Sequence, residues 1–188
     1  MREIDKDIIN MAARGDTTAL EEIYKQYSST VYTIALGITR DRQDAEEATQ
    51  DVFIKVFRSL NDFRFGSSFG TWLYRISVNT AINVYRKHAR RVTMSIPYDE
   101  LKDSGMAAPQ IQQNETRQQD AAARVTALLD NLSPEHRACI TLREIEGLDY
   151  KDIAGVLKIP LNTVRSRLKR AREALAAYCQ KEGLGYEL

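Results

Sequence analysis

This 188-residue chain is predicted to be all-α: two small helical domains joined by a flexible linker, the second containing a helix-turn-helix. Three observations point to it. Apolar residues recur at helical spacing along almost the whole chain, and strand alternation is nearly absent. A polar, weakly patterned stretch at 93–120, with Pro97, Gly105, Pro109 and several glutamines, separates two helical sets. Residues 148–157 and 162–172 read as two short helices about a tight turn, the second dense in arginine and lysine. The expected division is 1–92, linker 93–120, and 121–188.

The elements follow in order. Asp16, Thr17 and Thr18 are candidate N-caps for a helix over about Thr18 to Thr39. Leu20, Ile23, Tyr24, Tyr27, Val31, Ile34, Ala35 and Ile38 form its stripe. Asp41 to Asp44 open a second helix, about Ala45 to Leu60, striped by Ala45, Ala48, Val52, Val56 and Leu60 and widened by Phe53 and Phe57. A loop rich in glycine and serine follows at 62–70. The third helix runs from about Thr71 to Arg90. After the linker, Ser133-Pro134-Glu135 is a helix start, with Ser as N-cap and Pro in the first helical position, and Gly147 suits its end. Asp149 and Asn162 are the candidate caps of the helix-turn-helix. In its second helix Val164, Leu168, Ala171 and Leu175 make one buried stripe. Arg165, Arg167, Lys169, Arg170 and Arg172 then lie at or beyond its borders.

Net charge is +1, which decides nothing, but its distribution does. Residues 1–60 carry −3, 61–92 carry +5, 93–135 carry −4 and 136–188 carry +3. Two basic segments alternating with acidic ones suit a protein that touches nucleic acid at two places. Cys139 and Cys179 lie far apart, which excludes a disulfide framework and fits a reducing cytoplasm. No apolar run is long enough to span a bilayer, so no membrane insertion is expected. His136 and Cys139 lie three apart on a helix, but no further ligand accompanies them. Gly66 to Gly70 lacks the lysine and strand of a phosphate loop. No metal, cofactor or catalytic constellation is expected.

Three segments bear on function. The basic second helix of the helix-turn-helix suits DNA, because guanidinium groups match phosphate and guanine edges. Residues 63–91 interleave Phe63, Phe65, Phe69, Trp72, Tyr74 and Tyr85 with Arg64, Arg75, Arg86, Lys87, Arg90 and Arg91. That mixture suits unpaired bases stacked on rings and phosphates held by cations. It equally suits an aromatic core with solvated cations. Glu47, Gln50, Asp51 and Ile54 share the face of their helix opposite the core stripe. From spacing alone, favourable acidic charge near a helix N-terminus accounts for the carboxylates more simply than a docking patch does.

These features, in this order, resemble the bacterial extracytoplasmic-function (ECF) RNA polymerase sigma factors. The residues that carry the resemblance are Asp44-Ala-Glu-Glu-Ala-Thr-Gln50-Asp51-Val-Phe53, Phe69-Gly-Thr-Trp72-Leu-Tyr-Arg75-Ile-Ser-Val-Asn79, and Asp149-Tyr-Lys-Asp-Ile-Ala154 with Thr163-Val-Arg-Ser-Arg-Leu-Lys-Arg-Ala-Arg172. The chain is also similar to the envelope-stress subgroup of that family. The resemblance implies a transcription initiation factor without catalysis of its own. Glu47, Gln50 and Asp51 would bind the clamp helices of the polymerase β′ subunit. Phe63, Ser68, Trp72, Arg75 and Asn79 would open and read the minus-10 promoter element. Arg165, Ser166, Lys169 and Arg170 would read the minus-35 element, with Arg143 on the phosphate backbone. Where the family often shows Asp and Glu, this chain has Glu47 and Asp51, which keeps the charges. The family is usually held by an anti-sigma factor. A soft tether implies a free chain that is extended and flexible, which such an inhibitor would compact. A stand-alone helix-turn-helix regulator is the rival reading, but it would need neither the acidic patch nor the aromatic, cationic segment.

Overall fold

The computed structural model describes residues 3–95, 129 and 132–181. They form seven α-helices, one 3-10 turn and one π turn, with no strand among the described residues. In the first unit these are α1 (Lys6–Ala13), α2 (Thr17–Thr39), α3 (Arg42–Ser59), the 3-10 turn Leu60–Asp62, and α4 (Phe69–Ser95). The second unit holds α5 (Pro134–Ile140), the π turn Thr141–Ile145, α6 (Tyr150–Leu157) and α7 (Leu161–Lys181). Most of the expected linker, 96–120, lies outside the described residues, and α4 carries helix to Ser95.

Local chemistry explains the boundaries. Asp16, Asp41, Ser133 and Asp149 cap α2, α3, α5 and α6, each side chain accepting a backbone amide of the first turn. Helix α1, which the periodicity did not reveal, is capped the same way by Asp5. Helix α7 begins one residue before the expected cap Asn162. The amides of Thr163 and Val164 bond the Pro160 carbonyl, and Asn162 Oδ1 accepts from Arg165 at 3.3 Å instead.

The first unit is a bundle of α2, α3 and α4, with α1 packed along α2. Ile23, Tyr27, Val31, Val52, Val56 and Leu73 are fully or almost fully buried in it. Tyr24, expected on the core stripe, is 48% exposed and leans on Phe53 with ring centroids 4.7 Å apart. In the second unit Val164, Leu168 and Ala171 bury against α5 and α6 as the stripe predicts.

The two units do not stand apart, as a soft tether implied. They dock, and one apolar cluster runs through both. It joins Ile34, Ile38, Val78 and Val84 to Leu132, Ala138, Ile140, Ile153 and Val156. Five polar or steric contacts fix the docking. Arg137, 1% exposed, donates from Nη1 to the Ile38 carbonyl at 2.9 Å, and its guanidinium carbon lies 4.9 Å from the Tyr85 ring centroid. Arg75 donates to the Gly155 and Val156 carbonyls at 2.9 and 3.4 Å. Tyr74 donates to Glu146 at 3.0 Å, and Arg86 to Glu135 at 2.7 Å. Gly37, inside α2, lies against Thr141; a Cβ on it would sit 2.5 Å from Oγ1, 3.0 Å from Cγ2 and 3.4 Å from Cβ of that residue.

Glu146 gives the docking a pH dependence. Burial, the largest cause, raises its pKa above the ordinary 4.5, outweighing the Tyr74 hydrogen bond. The docked form therefore holds the proton more tightly than the separated form. Glu146 contributes fully to docking below about 4.5 and that contribution fades as pH rises through the raised value. Burial works to raise the Glu135 pKa but is outweighed by backbone and Ser133 hydrogen bonds and by Arg86, which together lower it; of these only Arg86 comes from the other unit. Glu146→Gln keeps an acceptor for Tyr74 without a buried charge. It is expected to tighten docking at pH 7.5 and flatten its dependence between pH 5 and 7.5. Energy transfer between dyes on the two units checks this; a variant as pH-dependent as the parent contradicts it.

Candidate functional site

Three surfaces present the residues singled out from the sequence. On α7 the buried stripe leaves Arg165, Ser166, Lys169 and Arg170 exposed together. None is locked in place. Lys169 meets Glu173 at 3.7 Å, Arg165 meets Asn162, and Ser166 bonds the Thr163 carbonyl at 3.0 Å. Exposed contacts of this kind contribute about 0–1 kcal/mol, so they exchange readily for an incoming ligand. Arg172, on the same side of the helix as Arg165 and Lys169, ties α7 to its own unit, donating to Glu144 at 2.7 Å and to Tyr150 at 3.4 Å. Burial, then the charges of Arg167 and Arg170, push the His136 pKa below its ordinary value. Arg143, expected on a phosphate, is half-buried. It donates to the Leu148 carbonyl at 2.9 Å and sits 5.3 Å from the Tyr150 ring centroid. It thereby shapes the turn into α6.

On α3, Gln50 and Ile54 are exposed and Glu47 and Asp51 half-buried, all on the side away from the core. Ile54 is 47% exposed, an unusual position for a large aliphatic beside carboxylates. Two pairs tie this helix to the basic end of α4: Glu47 with Lys87 at 3.2 Å and Asp44 with His88 at 2.6 Å.

The third surface is the loop before α4. Ser68 caps that helix, accepting from the Thr71 amide at 3.1 Å. Phe63 is 8% exposed, its ring centroid 5.0 Å from Trp72 and 5.7 Å from Phe69. It is the floor of a shallow hollow of about 280 Å³, lined also by Asp62, Arg64, Gly66, Ser67, Trp72 and Arg75. The displayed ring is Phe65, 40% exposed, 4.8 Å from Phe63 and under the Lys6 ammonium at 5.8 Å. Its φ of 54° puts it in the left-handed region, which a non-glycine residue adopts against about 1 kcal/mol or more of strain. No sequence signal distinguishes Phe65 from Phe63, because an irregular loop has no period. Asn79 is exposed one turn beyond Arg75 on α4.

Comparison with known proteins decides what carries these surfaces. Residues 23–91 match Sigma-70 region 2, and residues 122–175 match Sigma-70, region 4. The chain is 35% identical over 179 residues to the RNA polymerase sigma-H factor of Pseudomonas aeruginosa, covering 93% of each chain. It is 35% identical over 177 residues to the ECF RNA polymerase sigma-E factor of Escherichia coli, covering 91% of this chain and 92% of that one. The chain belongs to the ECF RNA polymerase sigma factors. Its fold resembles CnrH in complex with the cytosolic domain of CnrY (TM-score 0.69, 24% identity, 94% of this chain and 97% of that one). It also resembles the sigma factor RpoE in complex with the anti-sigma factor NepR from Bartonella quintana (TM-score 0.64, 26% identity, 85% and 96%).

This sigma factor is accordingly a non-enzymatic factor of transcription initiation, from a family that works with RNA polymerase on promoter DNA in the cytoplasm. No helix of the described residues is long and apolar enough to cross a membrane. The two matched regions coincide with the two units: α2 to α4, and α5 to most of α7. Helix α1, whose Lys6 lies over the Phe65 ring, precedes the first match.

The two phenylalanines of the sigma factor's loop separate in a stability measurement. Phe63→Ala removes a ring packed on three others and is expected to destabilise the first unit by about 3–5 kcal/mol. Phe65→Ala, at the surface, should change stability by about 1 kcal/mol or less. Thermal melts followed by circular dichroism check the contrast; equal losses would place both rings in the core.

Proposed function

We propose that this sigma factor divides its work between the two units. Glu47, Gln50 and Asp51, with Ile54 beside them, bind the clamp helices of the β′ subunit of core RNA polymerase. The loop before α4 and the first turns of α4 open and read the minus-10 element. Phe65 offers a stacking face, the hollow on Phe63 and Trp72 accepts a base, and Ser68, Arg75 and Asn79 hold its backbone or edge. Helix α7 enters the major groove at the minus-35 element with Arg165, Ser166, Lys169 and Arg170, and Arg143, at the turn ahead of α6, contacts the phosphate backbone. The divisions at 92 and 120 follow the same plan: reading units on either side of a tether.

The observation that carries the reading is α7. Its apolar stripe is buried to the last methyl at Val164 and Ala171, and Arg165, Ser166, Lys169 and Arg170 lie bare between them on a two-helix unit of the right length. Run-off transcription with purified core RNA polymerase tests the whole. Specific transcripts are expected only when the protein is added, and a protein that binds promoter duplex tightly and specifically without polymerase would be a stand-alone regulator instead.

An anti-sigma factor is the regulatory partner this reading adds. Support comes from the Bartonella quintana RpoE, 26% identical, which was solved with the anti-sigma factor NepR.

Two sets of substitutions test the assignments. Gln50→Ala with Asp51→Ala should abolish co-purification with core polymerase and leave the circular-dichroism melt unchanged, since neither side chain touches the core. Lys169→Ala and Arg170→Ala should each relax discrimination at one minus-35 position by about 1–3 kcal/mol. Equal loss on all minus-35 variants would make the residue a phosphate contact.

A further inference from the structure

Phe65 holds a costly backbone conformation that its own backbone does nothing to secure. Its φ of 54° lies in the left-handed region, while Gly66 beside it, which could take that turn without strain, does not. Among the described residues, Arg64, Phe65 and Gly66 make no backbone hydrogen bond. The backbone bonds of the loop stop at Phe63, which donates to the Leu60 carbonyl at 3.1 Å, and resume at Ser68, whose carbonyl accepts from Trp72 at 3.1 Å. What fixes Phe65 is therefore its side chain.

That ring has two neighbours. Phe63 lies 4.8 Å away between centroids, tilted by 57°. The Lys6 ammonium, from α1, lies over the ring at 5.8 Å from its centroid. Lys6 is exposed and makes no ion pair among the described residues, so its charge is given to the ring. The attraction of an ammonium for a ring face is of the same order as the left-handed strain, so one can offset the other.

Helix α1 is seated firmly enough to serve as the fixed point. Asp5 caps it, accepting the Asp7 amide at 2.9 Å. Ile4, Ile9 and Ala12 are buried in the core of the first unit. The helix packs on the 3-10 turn Leu60–Asp62, which leads directly into the loop. The Ile4 backbone also hydrogen-bonds the Tyr27 phenol; the Tyr27 ring lies 5.4 Å from Phe69, and Phe69 lies 5.7 Å from Phe63. The start of α1 thus reaches the loop by two routes. One runs through the aromatic core to Phe63, the floor of the hollow. The other runs over the surface from Lys6 to Phe65, the displayed ring. A ring already displayed before a base arrives spares binding the cost of ordering it.

We propose that Lys6 is a positioning residue for minus-10 opening: from α1 it holds Phe65 in the displayed, left-handed conformation in which the ring meets an unpaired base. The proposal rests on the minus-10 assignment of the loop. It gives α1, which precedes the matched region, a part in promoter opening that acts through Phe65.

Lys6→Met, which keeps the stem and the helix propensity and removes the charge, tests this beside Lys6→Arg, which keeps the charge. The first readout needs no DNA. The full chain carries 4-fluorophenylalanine at its five phenylalanines, and Phe65→Leu identifies the fluorine resonance of Phe65. Lys6→Met should move that resonance toward its position in the urea-unfolded chain and leave the other four in place; Lys6→Arg should hold it at the parent position. The second readout is opening by the holoenzyme of a promoter active in run-off transcription, followed by 2-aminopurine in the minus-10 element. Lys6→Met should slow opening about 3- to 10-fold, as for a ring that falls from mostly displayed to about 10–30% displayed, and Lys6→Arg should restore it. In the Phe65→Ala chain, Lys6→Met should add no further loss. An unmoved Phe65 resonance in Lys6→Met overturns the hold. Losses that multiply in the double variant make Lys6 a phosphate contact of its own and overturn its action through Phe65. A moved resonance with Phe65→Ala opening as fast as the parent removes Phe65 from the minus-10 site, and the function of the hold with it, while the hold itself stands.

Discussion

A helix ends with carbonyls that its own backbone cannot satisfy, and this sigma factor solves that requirement across its two units. The end of α2 receives a guanidinium from the second unit, Arg137 on the Ile38 carbonyl. The end of α6 receives one from the first unit, Arg75 on Gly155 and Val156. The exchange is reciprocal. In each case a cation meets the negative end of a helix dipole, and in each case the donor belongs to the other half of the chain. Arg137 is the deeper of the two. Stripped of its partners it would be a buried charge, which costs several kcal/mol; once the units separate, water can take their place. The contact is therefore strong in specifying one docked geometry and weak in resisting separation.

The surfaces assigned to polymerase and promoter depend on this frame in different degrees. Helix α7 owes its shape to the second unit alone: Val164, Leu168 and Ala171 bury against α5 and α6, and Arg172 ties it to Glu144 and Tyr150. Its reading face is the same whether or not the units dock. The α3 face likewise belongs to the first unit, braced by Lys87 and His88 of α4. Only the α4 surface changes partners on docking, through Tyr74, Arg75 and Arg86.

The parts of the molecule that obey a period were legible in the sequence. The α7 stripe, the α3 stripe and the Asp149 and Ser133 caps follow from residue spacing and side-chain chemistry within a few positions. Helix α1 was not legible, because eight residues with two adjacent isoleucines give too short a pattern. Asn162 was the wrong cap because Pro160 sets the first turn a residue earlier. Among the three loop phenylalanines, which ring is floor and which is displayed depends on a single left-handed residue, Phe65, that no composition rule marks. The docking was the least legible of all. Arg137 and Ile38 are 99 positions apart, and only the folded carbonyl end of α2 makes them partners.

Gly37 shows how such long-range design can still leave a local trace. A glycine inside a 23-residue helix lowers its stability by about 0.5–1 kcal/mol relative to alanine, and the three atoms a Cβ there would meet first all belong to Thr141 of the second unit. Ile34, Ala35 and Ile38 on one side and Ala138 and Ile140 on the other are among the small and aliphatic residues through which the two units share a core. Removing one Cβ lets α2 and the π turn approach until Thr141 fills the gap. The π turn belongs to the same compromise: its wider winding carries Thr141 toward α2 and Glu146 toward Tyr74 within six residues. Two locally unfavourable choices, a glycine in mid-helix and a π turn in place of α-helix, meet at one contact. Neither is explained by the units separately, and both are explained by the docked state.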